Sequence, residues 1–411
     1  MPRSAVRLFL LLIALVVCAA QVFAAPFPVD PHDNVMIEWW YLNAHVTTDH
    51  ARHLAVIGSF FRINAGADPD KPSRGHYLIW AVTDEDQGSH QTYSLGDRGA
   101  LRLLQQYATL KMLQNPDDIE AGKLFDAVSR GKFPGPTQIL PGTSSVTGNP
   151  FSIHFGPDDS LLPSVPAYDG PVEQAPSAFS LKLAAPSGPE PKVDLVFQSA
   201  KPPMLVGGNG NTGLFRPEDM KYVSLTRCNV VGTIDDGNGP EKIASGQGWI
   251  DHQWGDTWTT QSNGWDWWGI QLADGRDLLI FRHRDLATGR IFFPLATIMD
   301  ASGQLTVERN LVFTENRATL WTSPRTKITY PLDWTIGMPD QNLTLSITTS
   351  VRDQEMAVIT GGTAIWEGTC QATAQTSGQA SVPGVAYMEL VGYNSQAVRK
   401  MLMNGEKPET R

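Results

Sequence analysis

Beyond residue 34 the chain is a succession of short apolar runs, rich in aromatic and β-branched residues and bounded by Gly, Pro, Asp or Asn. That pattern predicts a mostly β protein. Glu38–Leu42, Leu54–Arg62 and Tyr77–Thr83 are the first strands expected. Leu101–Gly131 differs, because helix formers broken at Pro116, with Asp117 or Asp118 as an N-cap, predict two short helices lying on the sheet. From Phe133 to Pro191 prolines interrupt so often that only Phe151–Phe155 and Phe179–Leu183 remain as strand candidates. Strands resume at Tyr222–Ile234 and Ile243–Trp254. A second series follows at Trp265–Leu272, Asp277–Arg284, Phe292–Met299, Leu305–Phe313, Trp334–Ile336, Asn342–Ser350, Gly362–Cys370 and Val385–Tyr393. This spacing predicts two consecutive antiparallel β-barrel domains with short peripheral helices, meeting near Gly255. Their expected bounds are 25–254 and 255–400, with a tail at 401–411.

Between the two series lies Gly248–Gly269, which holds six of the chain's 12 tryptophans. Asp251, His252, Asp256 and Asp266 are set among them. Alternate side chains of a strand share a face. Ile250, His252 and Trp254 therefore oppose Trp249, Asp251 and Gln253. Asp266, Trp268, Ile270 and Leu272 oppose Trp265, Trp267, Gly269 and Gln271. If the two more apolar faces look into one space, His252 and Asp266 enter it together and Asp251 points away as a structural residue. Residues 256–263 would form a loop over the mouth.

Such a pair has a chemistry. A carboxyl in an apolar pocket keeps its proton and can act as an acid. Tryptophan faces stabilise a carbocation, and a histidine can steer or deprotonate water. Asp266 is the candidate acid and His252 the water partner. Trp254, Trp265 and Trp268 are the candidate lining, with Trp249 and Tyr222 as further ligand contacts. The competing reading is plain core packing. Glu38 and Arg227 are expected to form a buried structural ion pair, and Glu367 and Glu389 to face solvent or pair structurally.

Several segments resemble the carotenoid 1,2-hydratase (hydroxyneurosporene synthase, CrtC) and AttH family. They include Glu38-Trp39-Trp40-Tyr41, Tyr222-Val223-Ser224-Leu225-Thr226-Arg227, Gly248-Trp249-Ile250-Asp251-His252-Gln253-Trp254-Gly255 and Gly264-Trp265-Asp266-Trp267-Trp268. Trp321-Thr322-Ser323-Pro324, Tyr330-Pro331-Leu332-Asp333-Trp334, Trp366-Glu367-Gly368 and Tyr387-Met388-Glu389-Leu390 continue the series in order. The resemblance implies a pair of lipocalin-like barrels. In some members it implies addition of water to a terminal double bond of an acyclic carotenoid, and it points to the same DH and WDW positions. Two functions follow as expectations. One is an exported enzyme that hydrates or cyclises a hydrophobic unsaturated substrate. The other is a carrier of a lipid-like ligand serving an ABC transporter.

Composition narrows the partners. A net charge of −10, with no Lys/Arg run longer than two, argues against nucleic acid. Arg3, Arg7, the apolar Leu8–Ala20 and Val22-Phe23-Ala24 read as a secretory signal cleaved after Ala24, so a periplasmic or secreted protein is expected. The mature chain then keeps Cys228 and Cys370, which allow one disulfide or two buried thiols. No cofactor is expected. His45, His50 and His53 read as a surface cluster rather than a metal site, and no Gly-x-Ser-x-Gly elbow occurs.

Overall fold

The computed structural model describes residues 27–65, 73–166, 177–188, 191–214, 216–256, 263–349, 351–359 and 364–404. The expected signal segment and residues 257–262 of the expected mouth loop lie outside these. The fold is mostly β, built on two curled half-barrel sheets with short helices at their margins.

Among the described residues the first sheet has 13 strands and the second ten. At the centre of the first, Ile37–Thr48 lies between His53–Ala65 and Glu241–Gly255, which in turn pairs with Met220–Asp235. The strands from Ala178–Ala184 and Lys192–Ser199 extend that side. In the second sheet, Asn263–Leu272 lies between Asp277–Asp285 and Val382–Val391, and the latter pairs with Ala364–Thr376. Glu241–Gly255 is the last strand of the first sheet along the chain, and Asn263–Leu272 is the first strand of the second.

The helices form where expected. Arg98–Gln114 is capped by the Asp97 side chain, which accepts from the Ala100 N–H, and the chain restarts as Ile119–Ser129 with Asp118 accepting from Ala121. Leu101, Leu104, Leu124 and Val128 bury a small apolar cluster over the sheet. The expected tail at 401 is corrected, because Gln396–Asn404 is a third helix whose Val398 and Leu402 pack into the second sheet.

Each sheet encloses its own core. Trp40, Phe60, Trp80, Phe197 and Ile250 fill the first, and Trp268, Ile280, Trp334, Trp366 and Met388 the second. A third core lies between the sheets, where Trp39, Tyr41, Tyr222, Trp249, Trp267, Phe281 and Tyr387 meet. The strands at this seam are thus buried on both faces, and each fully buried side chain there stabilises the fold by roughly 1.5–3 kcal/mol.

Polar ties cross the seam as well. Arg227 donates to Asp277 at 3.0 and 2.6 Å, with Lys201 adding an ion pair at 2.8 Å. The expected Glu38–Arg227 pair is therefore corrected. Arg227 reaches the second sheet, whereas Glu38 turns into the first. Cys228 and Cys370 are buried free thiols, one in each sheet.

Candidate active site

The alternation read from the sequence holds along both strands, but the faces that meet are the other pair. Trp249, Asp251 and Gln253 face the seam, and so do Trp265 and Trp267. Ile250, His252 and Trp254 point into the first sheet's core, while Asp266 and Trp268 point into the second's. The expectation that His252 and Asp266 share a space, with Asp251 outside it, is thus reversed. Face hydrophobicity could not choose between two buried environments, because both faces of these strands are buried.

At the seam lies a cavity of about 90 Å³, walled by Trp39, Tyr41, Phe61, Tyr222, Trp265, Trp267 and Phe281. Three carboxyls line it: Asp251 from the first sheet, and Glu367 and Glu389 from the second. Glu367 and Glu389 are direct cross-strand partners, and Trp267 is the partner of Glu389 on its other side. Gly269 makes room for this wall, since a Cβ there would lie 2.5 Å from the Trp267 ring.

Asp251 is held by three donors. Tyr222 Oη donates at 2.6 Å, Ser224 Oγ at 2.5 Å and Trp249 Nε1 at 2.6 Å. Trp267 Nε1 donates in turn to Tyr222 Oη at 2.9 Å, so the tryptophans orient the acid rather than only surround it. Glu367 accepts from Tyr41 Oη at 2.8 Å. Burial pushes Asp251 up to about 6 against these hydrogen bonds. It raises Glu367 well above the usual carboxylate range, with the charges of Glu389 and Asp251 adding to it. Glu389 is pushed up by burial to about 7, opposed by a hydrogen bond from Trp265. A proton is therefore held within the cluster near neutral pH. His283 lines the same cavity, and burial pulls its imidazole down to about 4, so it is neutral there. Its Nδ1 is buried with no hydrogen-bond partner among the described residues.

The other expected site residues sit elsewhere. Asp266 accepts from Arg282 Nε at 2.7 Å, from Arg284 and from Tyr393 Oη at 2.8 Å. Despite burial, Arg284 and Arg282 hold its pKa below the ordinary value, so it has no proton to give near neutrality. His252 places Nε2 2.9 Å from Glu38 and donates from Nδ1 to the Pro28 carbonyl at 2.5 Å. Glu38 is also bound by Arg62 at 2.5 Å and His32 at 2.8 Å. Trp254 stacks on His32, 4.3 Å between ring centres, in that same network. Trp268 packs against Phe313 and Trp334 inside the second sheet. Of the residues expected to contact ligand, Tyr222 and Trp265 line the cavity and Trp249 supports Asp251. Missed by the sequence reasoning were Glu367, Glu389 and His283. Glu367 and Glu389 are each a lone ionisable residue in an apolar stretch, a pattern that signals a doubly buried strand, whereas His283 lies between Arg282 and Arg284.

Among the described residues two groups could supply metal-ligand atoms within 4.8 Å of one another: His32, Glu38 and His252, and Asp49, His50 and Glu241. In both, an arginine already occupies the carboxylate, Arg62 on Glu38 and Arg52 on Glu241. A cation would have to displace or adjoin that guanidinium, so the donor sets fit ion-pair networks better than metal sites.

Residues 164–393 match the model of the AttH-like family, more than half of the 411 residues. The chain belongs to the AttH-like family. This AttH-like chain superposes on the AttH structure from Nitrosomonas europaea with a TM-score of 0.64 and 20% identity, covering 90% of this chain and 97% of that one. The kievitone hydratase of Nectria haematococca gives a TM-score of 0.60 and 15% identity, covering 91% and 94%. At these identities the likeness establishes the shared two-sheet fold. The dehydratase asqC of Emericella nidulans is 26% identical over 174 residues, 41% of the AttH-like chain. The chain spans about half the length of that relative, 49%.

Proposed function

We propose that this AttH-like protein is a hydro-lyase that adds water to, or removes it from, an apolar unsaturated small molecule by acid–base catalysis at the seam cavity. One observation carries the reading: three carboxyls with raised pKa values converge on a space otherwise walled by aromatic rings. Hydratase and dehydratase names among the relatives support the same reaction class.

In the hydration direction, a protonated carboxyl of the Glu367–Glu389 pair gives its proton to one alkene carbon. The cation left on the other carbon lies against the faces of Trp39, Trp265 and Trp267. Water then bonds to that carbon. Its surplus proton passes to Asp251 or to the neutral His283 imidazole and returns to the acid, so alkene and water give one alcohol. Dehydration is the reverse, with the acid protonating the departing hydroxyl. Loss of a proton from the cation without water capture would give isomerisation or cyclisation from the same intermediate.

The test is turnover in ¹⁸O-labelled water with prenylated phenols and acyclic terpenoid alkenes as probes, read by mass spectrometry. The expected product is heavier by one labelled water and is lost in Asp251→Asn, Glu367→Gln and Glu389→Gln while the probes are still bound. A wild-type protein that retains these compounds and never changes their mass overturns the enzyme reading. The carrier reading, with its transporter partner, would then stand.

A further inference from the structure

The second sheet does not close on itself among the described residues, and a second cavity of about 1100 Å³ opens in the gap. It lies between the strands Ile291–Met299 and Val312–Glu315, with the helix Gln396–Asn404 alongside. Phe292, Leu311, Phe313, Trp334, Val398 and Leu402 give it an apolar wall. It is distinct from the seam cavity, although both draw on one strand. Phe281 and His283 face the seam, whereas Arg282 and Arg284 face this space.

The charges on its wall do not balance. Arg282, Arg284, Arg309 and Arg317 line it, with Glu315 the one lining carboxylate among the described residues, in a chain whose net charge is −10. Arg317 is spent on Glu315, at 2.7 Å. Arg284 is spent on Asp266, Tyr393 and the Val391 carbonyl. Asp266 must also serve Arg282, which gives it only Nε, at 2.7 Å. The two Nη atoms of Arg282 have no protein acceptor among the described residues and open onto the cavity, on a residue 7% exposed. Its guanidinium carbon lies 4.5 Å from the Phe313 ring centre and 4.7 Å from that of Trp334. Two guanidiniums thus share one carboxylate, leaving a positive charge only half balanced by protein at the wall of a large space with an apolar side.

We propose that this cavity is a second ligand site, taking a linear amphiphile with a single carboxylate. The carboxylate pairs with the Nη atoms of Arg282, completing the charge balance that Asp266 half supplies. The hydrocarbon lies along Phe292, Leu311, Phe313 and Leu402. A neutral lipid would fill the space but leave the guanidinium unpaired. A phosphorylated metabolite would leave the apolar wall without a partner.

The experiment titrates the full chain with sodium dodecanoate, 1-dodecanol and dodecyltrimethylammonium, below their aggregation limits, following tryptophan fluorescence and calorimetry. Dodecanoate is expected to bind saturably at one site, about tenfold or more tighter than the alcohol or the cation. Arg282→Gln should weaken dodecanoate by about tenfold or more, and Arg309→Gln by less than about threefold. Should Arg282→Gln not fold, Leu311→Trp, which fills the cavity from its edge, should abolish binding. Equal affinity for the three amphiphiles overturns the proposal. So does the absence of saturable dodecanoate binding, or binding undiminished in Arg282→Gln or Leu311→Trp. Glu389→Gln should leave dodecanoate binding unchanged, so this site and the seam chemistry stand or fall separately.

Discussion

Glu367 and Glu389 stand directly opposite each other on adjacent antiparallel strands, and both line the seam cavity. Like charges at such a position repel, and burial adds to the cost of ionising either. The pair therefore holds a proton that two solvent-exposed glutamates would have lost, and it titrates as a unit together with Asp251. The consequences are measurable in stability as well as in rate.

Stability should fall as pH rises through the range in which these acids lose their protons. Glu389 has a folded pKa of about 7 against an ordinary 4.5. The folded state therefore keeps its proton after the unfolded chain has released it. The stabilisation is full below about pH 4 and is lost as pH rises from there to about 7. Urea unfolding at a series of pH values should show a decline to which Glu389 contributes on the order of 2 kcal/mol, discounted for its partial exposure. Glu389→Gln should flatten that part of the curve. An unchanged slope in the variant would mean that Glu389 releases its proton in the folded protein over the same pH range as in the unfolded chain.

Tyr222 sets the acidity of Asp251. Its hydroxyl donates to Asp251 and accepts from Trp267 Nε1. Tyr222→Phe removes one of the three bonds that oppose the effect of burial on Asp251, so the Asp251 pKa should rise from about 6. The group would stay protonated to higher pH, and the acid limb of a pH–rate profile should move to more alkaline pH. The variant should also lose about 1–3 kcal/mol of stability, because the Trp267 N–H is left buried and unpaired. Loss of stability with an unmoved pH profile would separate a packing role from a role in tuning Asp251.

Much of this was legible in the chain, and the part that was not has a physical reason. The β class, the two helices parted at Pro116, and the change of sheet after Gly255 follow from periodicity and turn residues. So does the side-chain phasing of Ile250–Trp254 and Trp265–Leu272. What periodicity could not say is which faces meet. Trp267 and Trp268 are neighbours with opposite directions, and both are buried, one in the seam and one in the second sheet. A solvent-facing side would have broken that symmetry, and neither Gly248–Gly255 nor Gly264–Leu272 has one. Glu367 and Glu389 were read as outward or structural for the same reason. The partner of Asp266 was within reach of sequence, because the Arg282-His283-Arg284 run offers two guanidiniums on one face of the next strand.

Asp266 and Asp251 should respond differently to removal of their charge. Asp266→Asn leaves Arg282 and Arg284 buried without a counter-ion, a loss of roughly 3–5 kcal/mol. Asp251 is held by neutral donors, so Asp251→Asn strands no charge. It should cost about 1–3 kcal/mol through mismatched hydrogen bonds while eliminating turnover. Thermal unfolding and product formation measured on both variants decide the assignment. A stable Asp266→Asn protein with no turnover, beside an active Asp251→Asn, would move the proton-accepting role assigned to Asp251 onto Asp266.

Glu38 anchors the segment that precedes the first strand. Its carboxylate accepts from the His32 backbone N–H at 3.1 Å, faces the rings of His32 and His252, and pairs with Arg62. Burial alone would raise its pKa, but the hydrogen bonds from His252 and His32 and the charge of Arg62 hold it at about 2. A depressed folded pKa makes the contribution present above the ordinary value of 4.5 and lost as pH falls from there toward 2. Glu38→Gln should therefore destabilise the protein at pH 7 by several kcal/mol, since it leaves Arg62 buried without its main partner. It should also flatten the acid side of the stability curve. Hydrogen exchange should rise at His32, whose N–H is shared between the two carboxylate oxygens and would keep only one neutral amide oxygen, while the amides of Trp267 and Trp268 in the second sheet keep their protection. Unchanged exchange at His32 would show that the anchor lies elsewhere, with the Trp40 Nε1 bond to the Val29 carbonyl and the His252 Nδ1 bond to the Pro28 carbonyl as candidates.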